Sequence, residues 1–207
     1  MIFTRAQQDF ATRLTINDHK IEQINATKIL GLWISEDLSW ERNTTEICRK
    51  AYSRMSMLTK LKHAGVSTDD LLDVYKLFIR TITEYCAVSF HSSLTVSQAT
   101  DIERIQKVCL KIILGCEYTT NSDALDMVGL DTLHDRREKR CLDFAKKCLK
   151  HPVHKRLFPI NDNQATHSAN IRNREPFIVN FARTTSYKKS AIPFCQRILN
   201  THYMRSN

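Results

Sequence analysis

Glycine and proline are scarce in this chain of 207 residues, which contains four of each. Since both residues interrupt helices, their scarcity and a hydrophobic content of 42% favour a globular, mostly helical protein. The sequence also lacks a P-loop, a dinucleotide-binding fingerprint and a nucleophile elbow. These absences argue against the enzyme classes that such motifs identify.

Paired cysteine motifs are missing as well, since the seven cysteines are an odd number and include no C-x-x-C. This pattern indicates reduced thiols rather than a disulfide framework. Cys141, Cys148, His151 and His154 could be assembled into a zinc site, but structural zinc ligands are usually more tightly paired. A buried thiol stripe beside surface histidines is the better interpretation, and we expect no metal and no cofactor.

Long apolar runs are also absent, and none approaches the ~20 residues that a membrane-spanning helix needs. At the amino terminus, Arg5 and Asp9 precede any apolar segment of the kind found in signal peptides. We therefore expect an intracellular protein, in the nucleus or the cytoplasm, without a membrane partner.

Positive charge is concentrated towards the carboxyl end of the chain. Residues 151–207 hold nine basic and two acidic residues, a net +7, and the first 150 residues supply +2 of the formal +9. A basic tail on a nearly neutral body suggests contact with a polyanion. The alternative is a basic tail that only keeps the protein soluble.

Short runs rich in β-forming residues occupy the first 40 positions. Residues 1–5 are predicted as a strand, a polar turn at Asn17 and Asp18 divides the next run, and residues 27–35 are predicted as one strand with Gly31 at its centre. Strands this short do not form a stable domain by themselves. We predict a small β-sheet remnant over residues 1–40, resting on the helices that follow.

A helical period begins near Glu41 and continues to Pro159. Its apolar stripes, glycine stops and short loops predict an antiparallel helical bundle over residues 41–159, so the expected fold class is mainly α. The predicted helices are 41–63, 68–92, 96–114, 121–128 and 131–150. Residues 160–207 lose the pattern and are predicted as a polar linker followed by an irregular basic tail.

Two adjacent aspartates, Asp69 and Asp70, could hold a pair of divalent metals for nucleotidyl transfer. They follow Ser67 at the start of an amphipathic run, where a capping box and the helix dipole account for both acids. Helix capping is therefore the interpretation that we favour.

A dense group of basic side chains lies on the predicted helix 131–150: Arg136, Arg137, Lys139, Arg140, Lys146 and Lys147. Such a face can follow nucleic-acid phosphates without reading the base sequence. The alternative is a solvated helix surface on which Glu138 and Asp143 form local ion pairs. We favour nucleic-acid binding and predict these six residues as its contacts.

The order of motifs carries a more specific signal. The stretch KILGLWISEDLSWERN at 28–43 resembles the segment after the polymerase palm in reverse transcriptases of non-LTR retrotransposons, where a K-x-L-G-hydrophobic strand precedes an acidic turn, L-x-W and a helix. The resemblance continues through AYSRMSMLTKL, LLDVYKLFIRTITEYCAVSFHSSL, IERIQKVCLKIILG and LDTLHDRREKRCLDFAKKC. These segments look like the thumb and following helical region of jockey- or CR1-like elements.

This resemblance implies a thumb-like region that contacts the backbone of a template–primer duplex, with Leu30, Gly31 and Trp33 as remnants of a primer grip. It also implies a palm as a former neighbour. The family's aromatic-Ala-Asp-Asp turn and its earlier metal-binding aspartate are missing from this sequence. We therefore expect a fragment of an RNA-directed DNA polymerase without catalysis of its own. A helical protein-interaction module and a non-functional transposon relic are the alternatives.

Overall fold

A computed structural model of the protein describes residues 15–20, 24–161 and 175–205, and most of these residues are helical. Within these ranges four short strands come first and form two antiparallel hairpins. The first hairpin pairs β1 (Thr15–Ile16) with β2 (His19–Lys20), and the second pairs β3 (Ala26–Ile29) with β4 (Leu32–Ser35). The prediction of a mainly α fold with a small N-terminal sheet is confirmed.

The helices follow the strands in chain order. The longest are α1 (Glu41–His63), α5 (Val96–Leu114), α7 (Leu133–Lys150) and α9 (Ala191–Arg205). The shorter ones are α2 (Thr68–Val74), α3 (Arg80–Glu84), α4 (Ala87–Phe90), α6 (Asn121–Met127) and α8 (Thr185–Lys188). A π-helical turn at Tyr75–Ile79 joins α2 to α3, and 3₁₀ turns lie at His91–Ser93, Gly115–Glu117 and His154–Leu157.

The second hairpin corrects the prediction of a single strand at 27–35. Leu30 and Gly31 both have positive φ, +47° and +88°, and form the two-residue turn between β3 and β4. Positive φ at both turn positions matches the right-handed twist of the strands in a tight hairpin. Leucine is an unusual residue for such a turn, so the sequence pattern concealed it. The predicted turn at Asn17 and Asp18 is confirmed, whereas residues 1–5 lie outside the described residues.

The predicted bounds of two long helices, 41–63 and 96–114, agree with the structure. On α1 the residues of one apolar stripe, among them Ala51, Met55 and Leu58, are buried. This stripe packs against α5 in the main core, which also includes residues of α2 and α6. Periodicity located these helices because each buries one continuous face.

The predicted helix 68–92 is interrupted at Tyr85 and Cys86, between α3 and α4. Ser67 does cap its start, because the Ser67 hydroxyl accepts the Asp70 N–H at 3.2 Å. After α3, however, Tyr85 is extended and Cys86 adopts a left-handed conformation with φ of +51°. Neither glycine nor proline marks this break, and a contact between Tyr85 and the β3–β4 turn accompanies it.

The C-terminal region is more regular than predicted. Helix α9 packs on α7, where Cys195 and Leu199 join Cys141, Ala145 and Phe177 in a second buried cluster. An isolated β-bridge joins Ile160 to Phe177 in this region. The prediction of an irregular tail is therefore corrected for α9, and residues 162–174 of the predicted linker lie outside the described ranges.

None of the helices in the described ranges combines the length and the apolar character that crossing a bilayer requires.

We expect the turn between β3 and β4 to depend on glycine at position 31. A Cβ at Gly31 would lie 3.1 Å from Tyr85 Cε1, and the left-handed φ adds about 1–2 kcal/mol of strain for any other residue. Gly31→Ala should therefore speed amide hydrogen exchange throughout β4. Gly65→Ala is the matched control, because φ there is +80° but no atom of the described residues lies within 4 Å of the added Cβ. Unchanged exchange in β4 of Gly31→Ala would contradict this account.

Candidate nucleic-acid interface

Two arginines at the start of α7 converge on one buried carboxylate. Arg136 Nε and Arg140 Nη2 both donate hydrogen bonds to the Glu84 carboxylate, the second at 2.6 Å. Arg80 Nε lies 3.9 Å from the same group. The Glu84 side chain is 4% exposed, so these contacts join the end of α3 to α7.

The electrostatics of Glu84 follow from this setting. Burial alone would raise the pKa of the Glu84 carboxyl, but hydrogen bonds from Arg136 and Arg140 outweigh burial and hold the pKa below its ordinary value of 4.5. Glu84 is therefore ionised at neutral pH. Three guanidinium groups surround one carboxylate, so the cluster has a net positive charge. Two of these guanidinium groups already donate hydrogen bonds to Glu84.

Arg137 differs from its neighbours because its side chain has no exposed surface. Its Nη2 donates to Glu103 Oε1 at 3.1 Å, between α7 and α5. A guanidinium buried in this way offers no surface to a phosphate on an external nucleic acid. The prediction of Arg137 as a nucleic-acid contact is thus corrected, and the residue is part of an ion pair between helices.

The lysines predicted as contacts lie along the rest of α7. Lys139 and Lys147 are exposed, whereas Lys146 is half-buried with its Nζ 2.9 Å from His202 Nε2 on α9. Lys139 and Lys147 thus keep the exposure that phosphate contact requires. The structure does not bring all six predicted contacts into one surface, because the arginines turn towards α3 and α5.

A second basic surface, which we call the hairpin groove, lies between the β3–β4 hairpin, α1 and the end of α3. Its volume is about 580 Å³. The basic residues lining it are Lys28, Arg49, Lys50 and Arg54, all exposed. One acidic residue, Glu46, lines it too and pairs with Arg49 at 2.9 Å. The lining thus carries a net charge of +3.

Aromatic side chains border the hairpin groove beside its basic residues. Trp33 is half-buried, its backbone N–H donates to Asn43 Oδ1 at 3.3 Å, and the Arg42 guanidinium lies 3.8 Å above its ring centroid. The Tyr85 hydroxyl donates to the Leu30 carbonyl at 2.8 Å. These contacts fix the position of the hairpin on α1 and α3.

The three residues predicted as a primer-grip remnant therefore have distinct positions. Leu30 is 86% exposed at the tip of the turn, Gly31 lies against the Tyr85 ring, and Trp33 lines the hairpin groove. Gly31 permits the close approach of the Tyr85 ring, because a Cβ at this position would lie 3.1 Å from Tyr85 Cε1.

Sequence reasoning missed the basic residues of the hairpin groove. Two of them, Lys50 and Arg54, lie one helical turn apart on α1, and Arg49 is adjacent to Lys50 in the sequence. The spacing of four between Lys50 and Arg54 is visible in the sequence, but the cluster on α7 is denser and was therefore predicted as the binding surface. The contribution of Lys28 depends on the hairpin turn and could not be read from the pattern.

The histidines and cysteines weighed as zinc ligands are divided between core and surface. Cys141 and Cys148 are buried, whereas the rings of His151 and His154 stack on each other at 4.1 Å in an exposed turn. Among the described residues, one group of potential ligand atoms lies close together, on His134, Asp135 and Glu138. Asp135 also accepts a hydrogen bond from the Thr132 hydroxyl at the start of α7, which gives it a capping role.

Comparison of the chain with protein-family models, curated proteins and solved structures gives no match. The family resemblance described above is therefore carried by the quoted motifs alone.

We expect Glu84→Gln to destabilise the fold by about 3 kcal/mol, because removing one partner of a buried ion pair leaves the other charges without compensation. Urea unfolding at neutral pH measures this change. Glu46→Gln is the control, because its pair with Arg49 is exposed and its loss should leave the free energy of unfolding almost unchanged.

The destabilisation by Glu84→Gln has an expected pH dependence. Since the folded pKa of Glu84 is lowered, its stabilising contribution is complete above pH 4.5 and is lost as the pH falls through the folded value. The stability difference between the unaltered chain and Glu84→Gln should therefore shrink in acid. A difference that stays constant or grows in acid would contradict the assignment.

Proposed function

We propose that the protein is a thumb-like region derived from a non-LTR retrotransposon reverse transcriptase, and that it binds the backbone of a template–primer duplex through the hairpin groove. The observation that carries the proposal is the net +3 lining of this groove, directly beside the motif that resembles a primer grip. This surface, and not the arginine-rich start of α7, is the principal contact in the proposal.

Charge and accessibility support the choice of the hairpin groove. Lys28, Lys50 and Arg54 are exposed and lie on two different elements, β3 and α1, so they can meet successive phosphates. Lysine and arginine bind phosphates without reading base sequence and release counterions when they do so. The α7 arginines instead donate hydrogen bonds to Glu84 and Glu103.

The hairpin supplies the aromatic part of the proposed contact. Trp33 lines the groove beside Lys28 and Lys50 and is half-buried, so the accessible part of its side chain can meet sugars or an unpaired base. The turn at Leu30 and Gly31 holds the hairpin against Tyr85, which positions Trp33 in the groove. No residue is assigned a catalytic role.

A helical protein-interaction module is the second candidate, and exposed apolar side chains favour it. Leu30, Phe78 and Tyr85 are exposed by 86%, 46% and 53%, and Arg54 Nη1 donates to the Phe78 carbonyl beside the groove. A partner resembling a palm would cover this surface. Leu32 and Trp33 of β4 contribute less to such a patch, because both are only half-exposed.

Binding of a labelled RNA–DNA hybrid across a salt series tests the proposal. We expect the affinity of the unaltered chain to fall steeply as the salt concentration rises. A triple variant in which alanine replaces Lys28, Lys50 and Arg54 should bind more weakly. Its slope of log affinity against log salt should be smaller by about 1 for each phosphate contact that is lost. Circular dichroism verifies that the variant is folded.

The matched control removes the same charge from α7, by changing Lys139, Lys147 and Lys150 to Ala. These lysines are exposed and lie outside the hairpin groove. If the α7 variant lost as much affinity as the groove variant, and its salt dependence decreased by as much, the hairpin groove would not be the interface. No binding by a folded chain at low salt would shift the assignment to the interaction module or the relic.

A further inference from the structure

A separate cavity of about 270 Å³ lies where the His91–Ser93 turn, α5, α7 and α9 meet. The charged and polar side chains that line it include His91, Ser92, His134, Arg137 and Glu138. Phe194 of α9 also lines the cavity, and its ring lies 5.5 Å from that of His91. This cavity shares no lining residue with the hairpin groove.

Buried polar atoms around the cavity have no hydrogen-bond partner in the part of the chain that the structure describes. They are Nε and Nη1 of Arg137, Nδ1 of His91 and Oγ of Ser92. Arg137 is fully buried and His91 is 7% exposed. Leaving donors of a buried guanidinium without partners is costly, because the charge has lost its hydration. A ligand that accepts hydrogen bonds would offset this cost.

Unpaired hydrogen-bond donors and a helix amino terminus, rather than net charge, favour an anion as that ligand, since Arg137 and Glu138 offset each other in the lining. The Arg137 Nη2 donates to Glu103, whereas its Nε and Nη1 are the unpaired donors. The amino-terminal turn of α5 also borders the cavity at Thr95 and Val96, and its helix dipole favours negative charge there. Burial, together with the positive Arg137 and with His134, lowers the pKa of His91 to about 4. His91 is therefore neutral at pH 7 and can donate one N–H to an oxyanion.

We propose that this cavity binds a phosphate group, held by the Arg137 guanidinium, the Ser92 hydroxyl, the His91 imidazole and the amino-terminal turn of α5. Glu138 lies at the same cavity and is half-exposed. Its carboxylate opposes the bound anion, so its removal tightens binding. The group comes either from free orthophosphate or from a phosphate monoester.

Calorimetric titration of the full chain with inorganic phosphate, with chloride adjusted to hold the ionic strength constant, tests the proposal. We expect saturable binding, an approximately tenfold loss in Ser92→Ala, and tighter binding in Glu138→Gln. Ser92→Ala leaves the Arg137–Glu103 pair intact, so a loss of binding is separable from a loss of fold. Lys147→Ala is the control, because this residue is basic and exposed but does not line the cavity, and the phosphate affinity of this variant should not change.

Titration with methyl phosphate distinguishes the two sources of the group. Tighter binding than orthophosphate identifies a monoester as the ligand, and weaker binding identifies the free anion; both support a phosphate site. The absence of saturable binding, or equal affinities in Ser92→Ala, Glu138→Gln and the unaltered chain, would overturn the proposal. Binding of Zn²⁺ that Glu138→Gln abolishes, without phosphate binding, would show instead a cation site at His134, Asp135 and Glu138.

Discussion

The buried Glu84 carboxylate determines the arrangement on which the rest of the account depends. It accepts hydrogen bonds from Arg136 and Arg140 and so joins the end of α3 to the start of α7. A buried carboxylate is tolerated only when charged donors surround it, which explains why basic residues crowd this turn of α7. A dense group of basic residues in the sequence therefore indicates a structural contact here, between α7 and α3.

The residue after Glu84 connects this contact to the hairpin groove. Because α3 ends at Glu84, Tyr85 turns away from the helix and donates its hydroxyl hydrogen to the Leu30 carbonyl. That bond, with the packing of Tyr85 on Gly31, places β3 and β4 beside α1 and aligns Lys28 with the basic face of α1. One buried ion pair and one tyrosine thus position the surface that we propose to bind nucleic acid.

Features repeated along the chain could be predicted from the sequence, whereas features made by single contacts could not. The period of α1 and α5 gave their bounds, since a helix that buries one face repeats its apolar residues many times. The break at Tyr85 and the Leu30–Gly31 turn each depend on contacts between residues 55 positions apart. The sequence shows that basic residues cluster on α7, but it does not show which acids pair with them, because Glu84 and Glu103 lie on other helices.

Fluorescence of Trp33 tests the central claim, that the hairpin groove is the nucleic-acid interface, most directly. The chain has two tryptophans, and Trp40→Phe leaves Trp33 as the sole one. This variant is titrated with an RNA–DNA hybrid that carries a fluorescent label. The anisotropy of the label reports binding, and the emission of Trp33 reports a change at the groove. The account predicts that Trp33 emission changes and saturates with the same affinity as the anisotropy. Binding seen by anisotropy with no change in Trp33 emission would contradict it.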